Sequence, residues 1–297
     1  LEIKSCVLVI KETALSQSAR AAKLAHKGDP TARRLVHAHD EHNRTVDWVR
    51  KALQERDIDF IETTSRKFTR AVKRRLASAD LTVSVGGDGT ALASSHYVRD
   101  GAMIGVNSAP LDSVGHFCST DRRTFARTIG EILDSRLKPL RLARLGVSLD
   151  DRQLPELALN DVLIAHELPA ATTRYIIQVG NRREEHRSSG IWASTAAGST
   201  AGIRSAGGKV LPLRSHRFQY LVRELYRQPG NRYDLARGIL ESDRQLVVAS
   251  KMPEGRLYLD GARATYRFPF GARAKIEVSE FDLKLFFKSP RGGGRAR

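Results

Sequence analysis

Apolar positions in the first third of the chain follow two alternating rhythms. Short apolar runs at residues 6–10, 58–61, 81–85 and 103–106 read as strands. Between them, residues 31–56 scatter Leu35, Val46, Trp48, Val49 and Leu53 among charges, and residues 67–76 and 91–98 also fit helices. Such alternation predicts an α/β domain of Rossmann-like organisation over a mainly parallel sheet. Past about residue 140 the texture changes. Short alternating segments at 145–149, 157–164, 175–179, 246–249, 257–259, 274–278 and 283–287 are separated by Gly, Asp, Asn and Pro. They predict a largely antiparallel β-rich sandwich domain, interrupted by a helical stretch at 218–227. The chain is therefore expected to divide into an α/β domain, 1–140, a sandwich, 141–289, and a disordered tail, 290–297.

Composition restricts the class. A hydrophobic share of 41% over 297 residues supports a substantial core. No apolar run approaches the ~18 residues of a membrane span, and the run at 6–10 is too short for a signal-peptide core, so a cytoplasmic protein is expected. Two cysteines, Cys6 and Cys118, build neither a disulfide framework nor a four-cysteine zinc site, and both are expected to be buried thiols. Fifty Lys and Arg against 33 Asp and Glu give a formal +17, which favours anionic partners without selecting one.

The segment from Leu81 to Thr90 carries the candidate chemistry. An apolar strand runs into Gly86-Gly87-Asp88-Gly89, and a helix-compatible stretch follows. Glycines let a ligand approach the backbone, and N–H groups in such a turn and at a helix start receive phosphate oxygens. Thr90 adds a hydroxyl. A pure phosphate cradle gains nothing from a carboxylate beside its anion. Asp88 makes sense if it serves an acceptor hydroxyl or a magnesium-bridged phosphate. The bland alternative is an Asp-Gly turn that ends a strand.

This turn resembles the GGDG turn of the superfamily that joins NAD kinases, 6-phosphofructokinases and diacylglycerol or sphingoid-lipid kinases. Further segments discriminate. Ala158-Leu159-Asn160-Asp161 is similar to the "LNE/D" strand of NAD kinases, and the run from Ser188 to Gly202 resembles their "DGLIVSTPTGSTAY" segment along its whole length. Ser205-Ala206-Gly207-Gly208 resembles the next glycine pair, Ile104 to Ser108 with Gly115 to Cys118 the "GVN…G" region, and Asp260-Gly261 the late "DG" strand. The longer form of the "GVN…G" region looks most like the branch with animal mitochondrial NAD kinases.

The resemblance implies an enzyme that moves the γ-phosphoryl group of ATP, as its Mg2+ complex, onto the adenosine 2′-hydroxyl of NAD. Asp88 would be the catalytic base, and Gly86, Gly87, Gly89 and Thr90 would meet ATP. Asn160 and Asp161 would hold dinucleotide hydroxyls, with Arg187, Ser189, Thr200, Ala201, Gly202 and Ser205 completing the binding set. His96, about two turns into the helix after the motif, reads as a helix-surface histidine, with contact to a phosphate as the alternative. A homodimer or tetramer is implied. Two positions depart from the family pattern: Ser189 replaces an Asp, and Gly202 replaces an adenine-stacking Tyr. Two rival readings are a lipid kinase sharing the turn and a basic nucleic-acid-binding protein on a kinase scaffold. The Asn160-Asp161 strand and the hydroxyl-rich run stand against the first, and the absence of a base-reading module against the second.

Overall fold

The computed structural model describes residues 2–27, 29–110 and 115–287, so the tail expected at 290–297 lies outside the described residues. Two compact units divide the chain: Leu1–Leu140 with the chain from Lys284, and Arg141–Leu283.

In the first unit, β1 (Cys6–Ile10) pairs in parallel with β2 (Phe60–Thr64) on one side and β3 (Leu81–Gly86) on the other. β3 pairs in parallel with β4 (Ala102–Asn107), and β5 (Thr120–Asp121) joins the end of β4. Both β3 and β4 are buried at every residue, which is why they read as unbroken apolar runs instead of alternating ones. Helices α1 (Ala14–Gln17) and α2 (Ala19–His26) lead into the long α3 (Pro30–Gln54). The Asp29 side chain caps α3 by accepting the Ala32 N–H, and Pro30 occupies its first turn, where a missing N–H costs nothing. Val46, Val49 and Leu53 share one face of α3 and pack in a core with Leu81, Val83 and Ile104. α4 (Arg70–Ser78), α5 (Asp88–Ser95) and α6 (Phe125–Leu133) complete the unit. The parallel register sets Ile10 beside Val85 and Gly86 beside Asn107. The carboxyl ends of β1, β3 and β4 thus reach one edge together, the edge where open α/β sheets receive ligands.

β6 (Leu140–Leu142) begins at the division between the units. The second unit then contributes β7 (Leu145–Leu149), β8 (Arg152–Gln153), β9 (Asp161–His166), β10 (Thr173–Val179), β11 (Arg182–Ser188) and β12 (Gly190–Ser194). After a short 3-10 turn, Ala197–Thr200, and α7 (Gly202–Ser205) come β13 (Phe218–Arg223), β14 (Arg237–Leu240), β15 (Leu246–Ser250), β16 (Gly255–Leu259), β17 (Ala264–Arg267) and β18 (Arg273–Val278). They form two six-stranded antiparallel sheets, β11-β10-β15-β18-β7-β8 and β14-β13-β12-β9-β16-β17. Val147, Tyr175, Ile177, Val248 and Ile276 of the first share a core with Val162, Ile164, Ile191, Phe218 and Leu257 of the second. β19 (Leu283–Leu285) then pairs in parallel with β4.

Three expectations need correction. Residues 283–285 do not extend the antiparallel sandwich, because β19 returns to the parallel sheet beside β4. Residues 218–227 are not helical: Phe218–Arg223 is a strand hydrogen-bonded to β12 and β14 on its two edges. A strand covered on both faces has no alternation, and its continuous apolar run mimics a buried helix. Cys6 is buried as expected, but Cys118 is only half-buried; both are free thiols.

Candidate active site

Gly87 caps α5 in an extended conformation and makes no side-chain cap bond, so the helix start is closed only by backbone, with the Thr90 N–H donating to the Gly87 carbonyl at 2.9 Å. The three glycines play different parts. At Gly86 a Cβ would lie 2.5 Å from Thr90 Oγ1 and 2.9 Å from Lys11 Cβ, so the fold itself requires glycine there. A Cβ on Gly89 would meet nothing within 4 Å, and the position is exposed. The packing of the chain does not demand Gly89, and its backbone is open to close approach.

Asp88 follows directly on this turn, in the first turn of α5, half-exposed. Its Oδ1 accepts the Phe117 backbone N–H at 2.8 Å, which fixes the carboxylate in rotation. The strand-end loop that supplies this N–H is shaped by Gly115, at φ 64°, where a Cβ would collide with the Asn107 side chain at 2.4 Å. Burial, and then the negative charge of Asp88, push the neighbouring Cys118 thiol up to about 12, so it stays protonated and unreactive.

In the second unit the Asn160-Asp161 pair is built by a residue that sequence reading left without a role. Asp260, itself at φ 49°, accepts the backbone N–H groups of Leu159, Asn160 and Asp161 at 2.8, 2.7 and 2.9 Å. Its own N–H donates to the Asp161 carbonyl. The Asn160 side-chain oxygen is buried and has no hydrogen-bond partner among the described residues. Such an orphaned acceptor is costly unless a ligand donates to it. Asp161 is buried beside it, and its carboxyl is raised to about 7, first by burial and then by the charge of Asp260. Near neutral pH it therefore offers a donor in one protonation state and only acceptors in the other.

The hydroxyl-rich run meets this pair, but most of its hydroxyls turn inward. Ser194 Oγ and Thr195 Oγ1 donate to the Asn160 and Leu159 carbonyls at 3.1 and 2.5 Å, and Ser199 Oγ donates to Ala196. Gly198 packs so tightly that a Cβ would lie 2.0 Å from the Asn160 carbonyl oxygen. These small residues therefore shape the Asn160 backbone. Thr200, Gly202 and Ser205 are exposed, and Ala201 is half-exposed. The half-exposed Trp192 indole comes within 3.5 Å of a Cβ built on Gly202, with the Arg223 guanidinium 5.8 Å from its ring centre. An aromatic surface thus stands next to the position that lacks one.

Arg187 and Ser189 are not brought to this cluster. Arg187 is exposed on β11, opposite Arg174, and Ser189 precedes β12 at the end opposite Ser194. The strand rise of ~3.3 Å per residue separates Ser189 from Ser194 by about 16 Å. His96 is not a surface residue: it caps α5 at 3% exposure, edge-on to Tyr97.

A turn that admits an anion to the backbone, next to one acid steadied by a peptide N–H, is the equipment for setting a hydroxyl against a polyphosphate. The class so defined is a phosphotransferase with an alcohol acceptor. No family profile matches the chain. It is 32% identical over 266 residues to a probable NADH kinase of Oryza sativa subsp. japonica, covering 82% of this chain and 81% of that protein. The NADH kinase of Arabidopsis thaliana is 29% identical, over 82% and 83% of the two chains. The NAD kinase of Methanoculleus marisnigri is 33% identical, over 70% and 73%. The chain belongs to the NAD kinase family. Its fold is that of two solved structures: an Archaeoglobus fulgidus NAD kinase in complex with ATP (TM-score 0.66, 20% identity, 96% of this chain and 93% of that one) and yeast NADH kinase complexed with NADH (0.71, 15%, 97% and 84%). No helix among the described residues is long and apolar enough to cross a membrane.

Proposed function

We propose that the chain is an NAD kinase that phosphorylates the adenosine 2′-hydroxyl of NAD with ATP, giving NADP and ADP. The observation that carries this reading is the Asp88 carboxylate, fixed at one oxygen by the Phe117 N–H beside an open glycine backbone. The hydroxyl oxygen attacks the γ-phosphorus, its proton passes to Asp88, and the β–γ bridging oxygen leaves with ADP. Gly86, Gly87, Gly89 and Thr90 receive the phosphates. In the second unit Asn160 serves a dinucleotide hydroxyl through its orphaned oxygen, Asp161 accepts or donates beside it, and Thr200, Ala201 and Gly202 add to the dinucleotide contacts. Among the described residues no group of three or more His, Cys, Asp or Glu forms a metal cage. Magnesium is usually held by one or two carboxylates plus substrate phosphates. Asp88 is the carboxylate that would face it, and the ion would neutralise charge on the transferred phosphoryl.

A second acceptor, NADH, is favoured by the names of the two plant relatives, which cover more than four fifths of this chain. The family resemblance supports a homo-oligomer. The test is to incubate the purified protein with magnesium ATP and, in parallel, NAD, NADH or diacylglycerol. NADP or NADPH is the expected product. Phosphorylated lipid without either would overturn the reading.

A further inference from the structure

We infer that Lys11 is the cation of the phosphoryl-transfer site and that its ammonium meets the polyphosphate over the glycine turn, a role that rests on the kinase reading above. Lys11 follows β1 directly, and its N–H donates to the Val85 carbonyl at 2.9 Å, so the β1–β3 ladder continues into the turn. The stem departs on the face that carries Thr90, since a Cβ on Gly86 would sit 2.9 Å from Lys11 Cβ and 2.5 Å from Thr90 Oγ1. Glycine at 86 is thus what allows a lysine stem and a threonine hydroxyl to close over the strand end. The adjacent acid is engaged elsewhere, because Glu12 Oε1 accepts the Thr64 hydroxyl at 2.6 Å. Among the described residues no carboxylate pairs with Lys11, which leaves its charge available to an anionic ligand.

His42 is the positioning residue for this lysine. Its buried ring sits with Nδ1 2.9 Å from Ser108 Oγ and also hydrogen-bonds the backbone of Lys11. The Ser108 N–H in turn donates to the Gly86 carbonyl at 2.9 Å. One imidazole from α3 therefore ties together the ends of β1 and β4, the two strands flanking β3. Burial, then the positive charge of Lys11, holds the ring down to about 4, so it is neutral at physiological pH. Positive charge at this edge comes from Lys11 and not from the histidine. A compact ammonium suits a polyphosphate whose spread charge must be offset during transfer.

The test compares Lys11→Met, which keeps the stem and removes the charge, with Lys11→Arg, which keeps the charge. Two readouts are needed: kcat/KM for ATP, and binding of ATP, ADP, AMP and adenosine by calorimetry. Lys11→Met should lose on the order of 10²- to 10³-fold in kcat/KM. Its binding loss should grow with the number of phosphates and vanish for adenosine, and Lys11→Arg should recover part of both. Wild-type kcat/KM in Lys11→Met, or an equal loss for ATP and adenosine, would overturn the assignment. If the wild-type protein formed no NADP or NADPH, the proposed function would fall. The nucleotide series would still judge Lys11 by whether the loss is confined to phosphorylated ligands.

Discussion

Asp260 accepts the backbone N–H of Asn160 at 2.7 Å, and through that bond a late turn of the chain sets the geometry of a segment 100 residues earlier. The same carboxylate takes the N–H groups of Leu159 and Asp161. Asp260→Ala should therefore cost at least about 2 kcal/mol, because hydrogen bonds to a charged group are individually worth ~1.5–3 kcal/mol. It should also raise the KM for NAD. Urea denaturation with steady-state kinetics checks both; an unchanged midpoint would show that the clamp is dispensable.

Asp161 and His42 should tilt the pH dependence of stability in opposite directions. Asp161 titrates at about 7 in the folded protein against 3.8 as the ordinary value, so between those pH values the folded state holds more protons than the unfolded one. Its contribution is full below about pH 4 and is lost as pH rises through 7. His42, down at about 4 against an ordinary 6.5, leaves the folded state with fewer protons, and its contribution is lost as pH falls from about 6.5 toward 4. Asp161→Asn should stabilise the protein at pH 8 by about 1–3 kcal/mol, since it removes a buried charge near Asp260. Chemical denaturation from pH 4 to 8 should show a rising slope once Asp161 is replaced and a falling one once His42→Gln is made. No change in either slope would contradict the burial argument.

Gly198→Ala should be destabilising out of proportion to one methyl. The new Cβ would stand 2.0 Å from the Asn160 carbonyl oxygen, and that backbone is held by Asp260, Ser194 and Thr195, so it cannot yield cheaply. A loss of ~1–3 kcal/mol is the usual cost of overpacking. Gly89→Ala is the control, because its methyl meets no protein atom within 4 Å. It should keep the melting temperature while weakening ATP binding. A thermal melt of the two variants gives the comparison, and equal losses would contradict it.

Trp192 should report dinucleotide binding. Trp48, 47% exposed on α3, is the other indole of the chain, so Trp48→Phe leaves a single fluorophore. NAD should quench or shift Trp192 emission saturably in that variant, since the ring lies beside Gly202. Titration without any spectral change would remove Trp192 from the binding surface.

The parallel sheet and its glycine turn were legible because buried central strands are written as apolar runs, and Gly86 to Gly89 break the run at the ligand edge. α6 writes only a short helical period, Phe125, Ile129 and Ile132, into the sequence. β13 mimics a helix in sequence because Phe218, Tyr220 and Val222 face the core while Gln219 and Leu221, on the other side, are buried too. Its aromatic and β-branched content was the available signal for a strand. In the glycine turn Asp88 stood out by residue type, while Asn160, Asp161 and Asp260 stood out by family resemblance. The bonds from Asp260 to residues 159–161, and the surroundings of Lys11 and His42, were not legible, because they depend on register and on contacts far along the sequence. The hydroxyls of Ser194, Thr195 and Ser199 illustrate the same limit. Composition reveals hydroxyl groups but not which way they turn, and here they satisfy carbonyls of their own fold.

The most direct measurement is the rate of NADP and NADPH formation by purified wild-type and Asp88→Asn proteins under saturating magnesium ATP. Asparagine keeps an oxygen for the Phe117 N–H but cannot take the hydroxyl proton. The expected result is a fall of ~10²- to 10⁴-fold in kcat, with the melting temperature retained. Turnover within a few-fold of wild type would contradict the account.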